Sequence, residues 1–393
     1  MRLIETNMRL AIALCLFAVT LGHIGCSEDP NPVGAGLLPG ADLLKIDTVS
    51  TLAVRSYSQP AIPAASTTRL LVGKVDDIES WGVLSFLVLP DSIRYMNILS
   101  AEVILRSEYH YGDSLAPFSL TAHKVLRPWG TDSLTIDSLK AAGFYDPNPM
   151  SSLTLPSVGD TASISIPIDT TVIRGWGTIS DTTFQNFGLL LQPTNSGVVK
   201  GFAMFEASDA SHRPNLLMRF LRTESGKIDT VTVNIGISRY GARIGNTSWS
   251  SDSTRIYVRN GVSYRGMLEF DVSSLPPHAA IHKAVLELTL DRTQSGFNAY
   301  TVDSTLAVFI SDDGVAVGTI IGLSEPAEVG NGVRVHRFPV GQFVQRWVRG
   351  TMQRRIAIAG YAEEDGLDLF VFHGAAAPQA LRPKLTIVYS LIQ

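Results

Sequence analysis

Three aromatic side chains are the residues of this chain best suited to stacking on a ring-shaped ligand. Tyr109 and Tyr111 flank His110, so both rings would share one face of a strand. If that face is exposed, the rings form a small platform; if it points inward, they belong to a core. Trp249 lies in the polar run 246–251, where an indole has the best chance of exposure. Tyr109, Tyr111 and Trp249 are therefore the candidate ligand-binding residues.

Acidic and histidine side chains show no catalytic or metal-binding spacing. Adjacent carboxylates occur at 76–77, 312–313 and 363–365. A glycoside hydrolase needs two carboxyl groups about 5 to 9.5 Å apart across a cleft, which sequence neighbours do not supply by themselves. The histidines are scattered singly, and no zinc-helix, phosphate-loop or nucleophile-elbow motif occurs. We expect no enzyme, no metal site and no cofactor, with a structural Ca²⁺ in an Asp-rich loop as the alternative.

Cys26 carries a different chemistry. It follows an apolar run, 10–21, that is preceded by a basic residue and followed by Gly25, which are the features of an export signal. The run is too short to remain as a membrane-spanning helix. The segment resembles a lipobox, at which bacteria attach diacylglycerol to the cysteine thiol and cleave just ahead of it. We therefore predict a lipoprotein signal over 1–26 with acylated Cys26; a plain secretory signal is the alternative.

The remaining cysteine agrees with export. Cys15 lies inside the apolar run and would leave with the signal, so the body would hold no thiol for a disulfide or a zinc site. Either Met1 or Met8 could be the start, and a start at Met8 would remove the acidic Glu5 from the basic region. Acyl chains on Cys26 would hold the protein on a membrane.

Composition bounds the partners and the domain count. The 393 residues are 45% hydrophobic and 17% charged, which is enough for two cores of ordinary size. A net charge of −4 without a long basic run argues against nucleic acid as a partner. Residues 27–44 are rich in Pro and Gly and predict an extended tether.

Strand periodicity dominates after the tether. Apolar and polar residues alternate over 230–237, 164–168 and 285–290, which is typical of strands with one buried face. Helical periodicity is limited to 138–144 and 340–348. The sequence therefore predicts an all-β protein.

An internal duplication divides this β region. Lys-Ile-Asp-Thr-Val occurs at 45–49 and again at 227–231, and Gly-x-Leu-x-Phe occurs at 82–86 and 266–270. Ile-x-x-Ala and Arg-Pro-x-Leu segments follow in the same order in each half. Segments in the same order at nearly constant offset predict two homologous domains, 45–222 and 227–393.

The second copy of this pattern, 265–276, resembles the DNRLRE-type domain of bacterial secreted proteins. That family is similar to carbohydrate-binding modules, so the resemblance implies two tandem jelly-roll-like β-sandwiches. The tether and first repeat also resemble a group of bacterial envelope lipoproteins. These resemblances rest on structural residues and imply no catalytic residue.

Three functions are compatible with the sequence. We expect a non-catalytic, lipid-anchored protein of the bacterial outer membrane, facing the periplasm or the cell surface, that binds polysaccharide. The alternative is an architectural or adhesin-like subunit that binds another envelope protein through an apolar patch or an open sheet edge. A glycan hydrolase comes third, since it would require a cleft between the repeats with converging carboxylates.

Overall fold

The computed structural model describes a defined part of the chain. The described residues are 45–60, 69–87, 89, 91–131, 134–176, 186–205, 209–246, 252–261, 264–297, 306–309, 320–329, 332–350, 355–361, 363 and 366–391. Cys26, the tether and Trp249 lie outside them. Residues 47–391 form one compact unit. Within the described part, none of the helices has the length and apolar character needed to cross a bilayer.

Strands account for most of the structure, which confirms the all-β prediction. In chain order they are β1 (Ile46–Pro60), β2 (Arg69–Val75), β3 (Ile78–Phe86), β4 (Asn97–Gly112), β5 (Phe118–Lys124), β6 (Ser151–Leu155), β7 (Ser163–Pro167), β8 (Leu189–Pro193), β9 (Val198–Ala203), β10 (Asn215–Glu224), β11 (Lys227–Asn246), β12 (Arg255–Arg259), β13 (Tyr264–Phe270), β14 (Ala279–Thr289), β15 (Leu306–Phe309), β16 (Ile320–Leu323), β17 (Glu325–Val329), β18 (Val333–Pro339), β19 (Arg355–Gly360), β20 (Leu369–His373) and β21 (Lys384–Leu391). The α-helices are α1 (Ile136–Lys140), α2 (Thr170–Trp176) and α3 (Gly341–Val348), and 3₁₀ turns cover Asp91–Tyr95, Ala210–His212 and Gln379–Leu381.

The strands form two antiparallel sheets, each of which folds over on itself. The first has the order β11-β10-β4-β9-β2-β3-β8-β5-β6, with β7 beside β4 and with β11 also paired to β3. The second has the order β16-β15-β19-β13-β1-β21-β14-β18-β17, with β12 and β20 paired beside β13. We call them the first sandwich (β2 to β11) and the second sandwich (β1 with β12 to β21).

Long strands bend from one layer of a sandwich into the other. In β11, residues 227–236 pair with β10, whereas residues 237–246 pair with β3. In β4, the first half pairs with β10 and the second half with β9. The layers enclose two apolar cores, the first built around Phe118, Trp176 and Phe202 and the second around Phe338, Phe343 and Phe372. Burial of these aliphatic and aromatic rows stabilises each sandwich.

The two repeats exchange their opening strands. β1 opens the first repeat, yet it lies in the second sandwich between β13 and β21, where the backbone N of Ala53 donates to the carbonyl of Pro383 at 3.0 Å. β11 opens the second repeat and lies in the equivalent place of the first sandwich, between β3 and β10. The predicted boundaries 45–222 and 227–393 describe the sequence duplication, whereas the sheets group 69–246 together and 46–60 with 255–391.

The shared motifs hold the same positions in both sandwiches. Gly82 of β3 lies against Leu70 and Val72 of β2, and Gly266 of β13 lies against side chains of β12. A Cβ atom on Gly82 would come within 2.8 Å of the Val72 Cγ2, and one on Gly266 within 2.5 Å of the Ile256 Cγ2. Glycine therefore lets neighbouring strands of one sheet carry bulky residues on the inner face.

The Gly266→Ala variant should be less stable than the parent by about 1 to 3 kcal/mol, because the new methyl group would overpack the core beside Ile256. Urea unfolding measures the difference. Gly175→Ala in α2 is the matched control, since a Cβ there meets no atom within 4 Å and alanine favours helix by up to about 1 kcal/mol. Equal unfolding midpoints for the two variants would contradict this role of Gly266.

Candidate functional site

Tyr109 and Tyr111 lie at the junction of the two sandwiches. Tyr109 is 4% exposed, and its hydroxyl accepts a hydrogen bond from the backbone N of Leu367 at 2.9 Å. Tyr111 is half-buried, and the guanidinium of Arg259 donates to its hydroxyl at 3.3 Å. Both tyrosines belong to the first sandwich and both partners to the second. Tyr109 therefore points inward, and its ring is packed in a core and does not form an exposed platform.

The electrostatics of the junction keep both phenols neutral. Burial raises the pKa of Tyr109, and the neighbouring carboxylate of Asp368 raises it further. Burial also raises the pKa of Tyr111, although Arg259 opposes this shift. A neutral phenol can accept and donate hydrogen bonds, so these tyrosines position the sandwiches through directional contacts.

Where the structure describes them, the acidic residues of the three adjacent sets lie in turns. Both oxygens of Glu363 accept hydrogen bonds from Arg265, at 2.9 and 2.6 Å. Asp76 and Asp77 form the turn between β2 and β3, whereas 312–313 and 364–365 lie outside the described residues. Across the described ranges, no three His, Cys, Asp or Glu side chains converge as metal ligands would.

Four of the scattered histidines have ordinary structural partners. His123 is buried, and both of its ring nitrogens have partners. Nδ1 lies 2.8 Å from the carbonyl of Asp146, and Nε2 lies 2.9 Å from the Thr121 hydroxyl. Other partners are carboxylates or hydroxyls, as in His110–Asp160 at 2.7 Å, His212–Glu108 at 3.0 Å and His282–Ser390 at 2.9 Å. Such contacts anchor loops and strands rather than assemble a site.

Within the described part of the chain, His336 is buried without such a partner. It points into the second core, fully buried between the rings of Phe370 and Phe372, and neither ring nitrogen has a hydrogen-bond partner among the described residues. Burial, together with the positive charge of Arg334, lowers the pKa of His336 to about 4. In the first repeat the equivalent position holds Ile164, because Leu105 pairs with Ile164 as Leu288 pairs with His336. The fold itself does not require a histidine there.

Three further tryptophans are buried, as is usual for so large an apolar side chain. Trp129 packs in a separate cluster on the outer face of the first sandwich, where Arg239 lies 4.8 Å above its ring. Trp347 of α3 lies in the second core, and Trp176 of α2 occupies the first core. Neither Trp129 nor Trp347 is available to stack on a ligand.

A groove on the outer face of the second sandwich is the candidate binding site. Its volume is about 680 Å³, within the range of small-molecule sites. The first half of β1 together with β21, β14 and β18 forms the floor, while β17 and the 3₁₀ turn Gln379–Leu381 contribute to the walls. The lining residues that can hydrogen-bond a ligand include Ser50, Glu287, Arg337, Gln379, Arg382 and Lys384.

One row of charges crosses the floor of the groove. Glu287 of β14 pairs across the sheet with Arg337 of β18 on one side and with Lys384 of β21 on the other. The Nε of Arg337 donates to the carboxylate of Glu287 at 2.9 Å, and the Nε of Arg382 donates to the carbonyl of Ala377 at 2.6 Å. With three cationic side chains and one carboxylate, the lining carries an excess of positive charge.

The equivalent row of the first sandwich lacks these charges. There Ile104 pairs with Ser165 on one side and with Asn215 on the other. Both rows occupy the same register of a duplicated fold. The charges of the groove therefore belong to the second repeat and are not a requirement of the sandwich.

Sequence reasoning had no means of finding this groove. Its charged residues alternate with buried ones in β14, β18 and β21, which predicts only that they face outward. The lining residues come from widely separated segments, including β1. None of the described lining residues is aromatic, so stacking rings do not mark this groove in the sequence.

Comparisons with known proteins add no identification. No protein-family model matches the chain, and no curated protein matches it. Among solved structures, the chain is similar to the structure of the Macrobrachium rosenbergii nodavirus at 10% identity, over 90% of this chain and 91% of that chain, with a TM-score of 0.14. A likeness at this TM-score carries no argument about fold or function.

Replacing His336 with Ile should raise stability and remove an acid-sensitive contribution. An unfolded histidine binds a proton near pH 6.5, whereas folded His336 does so only near pH 4. The parent therefore loses up to about 3 kcal/mol of stability as the pH falls from 6.5 to 4, with none of this loss above that range. The stability gain of His336→Ile over the parent should grow across the same window.

Urea unfolding at several pH values measures this difference. His123→Leu is the control, because it removes a buried ring that is hydrogen-bonded on both sides and should destabilise the protein. A constant difference between His336→Ile and the parent from pH 7 to pH 4 would contradict the assignment.

Proposed function

We propose that this protein is a non-catalytic, lipid-anchored protein of the bacterial outer membrane that binds an acidic polysaccharide in the groove of the second sandwich. The observation that carries this proposal is the row Arg337, Glu287 and Lys384 across the floor of an open-faced groove, with Arg382 beside it. The protein would face either the periplasm or the cell surface.

The donors and acceptors of the groove suit a carbohydrate with carboxylate or sulfate groups. Arg and Lys side chains bind such anions through charge-assisted hydrogen bonds, which are stronger than neutral ones. Ser50, Thr51 and Gln379 supply hydroxyl and amide groups for the sugar hydroxyls. Glu287 limits the net positive charge and can accept a hydrogen bond from a ligand hydroxyl.

The membrane anchor of this proposal rests on the segment around Cys26. Acyl chains on one N-terminal residue would hold the protein by apolar burial of about 0.8 kcal/mol per CH₂ group. The tether 27–44 leads into β1, and Ser50 and Leu52 of β1 line the groove. The strand that follows the tether in sequence therefore contributes residues to the candidate binding site.

One observation favours the second candidate, an architectural subunit that binds another protein. The second sandwich already accepts a strand, β1, from a distant part of the sequence. Strand addition to a sheet is a common way for proteins to bind one another, because main-chain hydrogen bonds supply much of the affinity. On this proposal the groove would hold protein side chains in place of sugars.

A glycan-array screen with and without calcium tests the binding proposal. The body from Ser27 onward should bind one class of acidic polysaccharide, and Lys384→Ala should weaken that binding by about tenfold or more, because one charge-assisted hydrogen bond is lost. Arg219→Ala removes an exposed cation from β10 of the first sandwich and should leave affinity unchanged. Folded protein that binds no glycan would instead favour the architectural candidate.

A labelling experiment tests the anchor separately. Cells that express the full chain and are fed a clickable fatty acid should label the protein and retain it in the membrane fraction. Cys26→Ser should lose both the label and membrane retention, because no thiol remains at the acylation position. Cys15→Ser is the matched control and should keep both, and equal labelling of the two variants would contradict acylation of Cys26.

A further inference from the structure

Each sandwich contains a slot for one strand between the same pair of neighbours. In the first sandwich the slot lies between β3 and β10 and holds β11; in the second it lies between β13 and β21 and holds β1. The strands in the two slots begin with the same sequence, Lys-Ile-Asp-Thr-Val. The two equivalent slots are therefore filled by strands with related sequences.

The two strands reach their slots by different covalent routes. β11 follows β10 through the tight turn at Ser225 and Gly226, which both have positive φ. β1 precedes the whole first sandwich and is joined to β2 through residues 61–68. Because the same slot is filled through a two-residue turn in one case and from more distant sequence in the other, the connection does not determine the occupant.

The contacts that hold β1 come from the second sandwich. The Ser58 hydroxyl accepts a hydrogen bond from the backbone N of Tyr257 at 2.7 Å, and the Ser56 hydroxyl accepts one from the backbone N of Ala375 at 2.8 Å. Ser56 and Ser58 are both buried, and so is Ala53. A β1 strand that arrived from elsewhere could make the same contacts, because they involve only β1 and the second sandwich.

We propose that the slot of the second sandwich takes β1 from a second copy of this chain, so that copies join by exchanging this strand. The link through 61–68 raises the local concentration of β1 at its own slot, and a crowded population of copies competes with that advantage. Exchange of an identical element is a low-cost route to assembly. Ser50, Thr51 and Leu52 line the groove, so the groove of an exchanged pair is built from two chains.

A thiol pair distinguishes strands from the same copy and from another copy. The hydroxyls of Ser50 on β1 and Thr386 on β21 lie 3.2 Å apart, and the protein from Ser27 onward has no cysteine. One preparation carries Ser50→Cys and the other Thr386→Cys. The two are unfolded together in urea, refolded at several concentrations, oxidised and analysed by non-reducing gel and light scattering. Disulfide-linked dimers should form in a fraction that rises with concentration.

Two controls define the background and the geometry. The double variant Ser50→Cys with Thr386→Cys, refolded at low concentration, should give linked monomers, which shows that the pair can form a disulfide. A mixture of Ser50→Cys with Leu115→Cys reports random collisions, because Leu115 is 78% exposed on the first sandwich. Dimers from the first mixture must exceed this background.

Changing the length of the link sharpens the test. Deleting residues 62–67 should shift the mixture to linked dimers at low concentration, whereas inserting a Gly-Ser stretch there should keep monomers dominant. If the shortened variant fails to fold, the mixture of Ser50→Cys and Thr386→Cys proteins with the unmodified link tests the proposal by itself. No dimers above the collision background, together with efficient linking in the double variant, would overturn the proposal.

Discussion

Satisfying the backbone groups of β13 and β21 is the constraint on which the second sandwich depends. Without β1, the facing edges of these strands would leave N–H and C=O groups without partners in the middle of a sheet, at a cost comparable to that of lost hydrogen bonds. β1 supplies the missing partners and also forms part of the groove floor. The integrity of the sheet and the shape of the candidate site therefore depend on the same strand.

The exchanged positions of β1 and β11 also tie the two sandwiches together. The chain passes from the second sandwich to the first after β1 and returns to the second after β11, so two connections join the sandwiches. Directional contacts can form under this restraint, such as those of the Tyr109 hydroxyl with the backbone N of Leu367 and of the Tyr111 hydroxyl with the Arg259 guanidinium. The buried tyrosine is thus a positioning residue, which its alternating sequence context left open.

Alternating residues predicted the strands well, because burial of one face leaves a period of two in the sequence. The alternating segments 230–237 and 285–290 coincide with parts of β11 and β14, and 340–348 contains α3. Periodicity specifies which face of a strand is buried but not which strand lies beside it. The exchange of β1 and the convergence of Glu287, Arg337 and Lys384 depend on pairing between distant segments, so neither was visible in the sequence.

The duplication supplies an internal test of which residues the fold requires. Gly82 and Gly266 occupy one structural position and make the same close approach to a neighbouring strand, so the fold accounts for both. Ile104 and Glu287 also occupy equivalent positions in the two sandwiches. They differ in charge, and so do the residues that pair with them across the sheet. The first sandwich folds with Ile104 at this position, so the fold does not need a carboxylate between two cations there. Exposed ion pairs add at most about 1 kcal/mol of stability. The charged row is therefore a feature of the second repeat that the sandwich fold does not require.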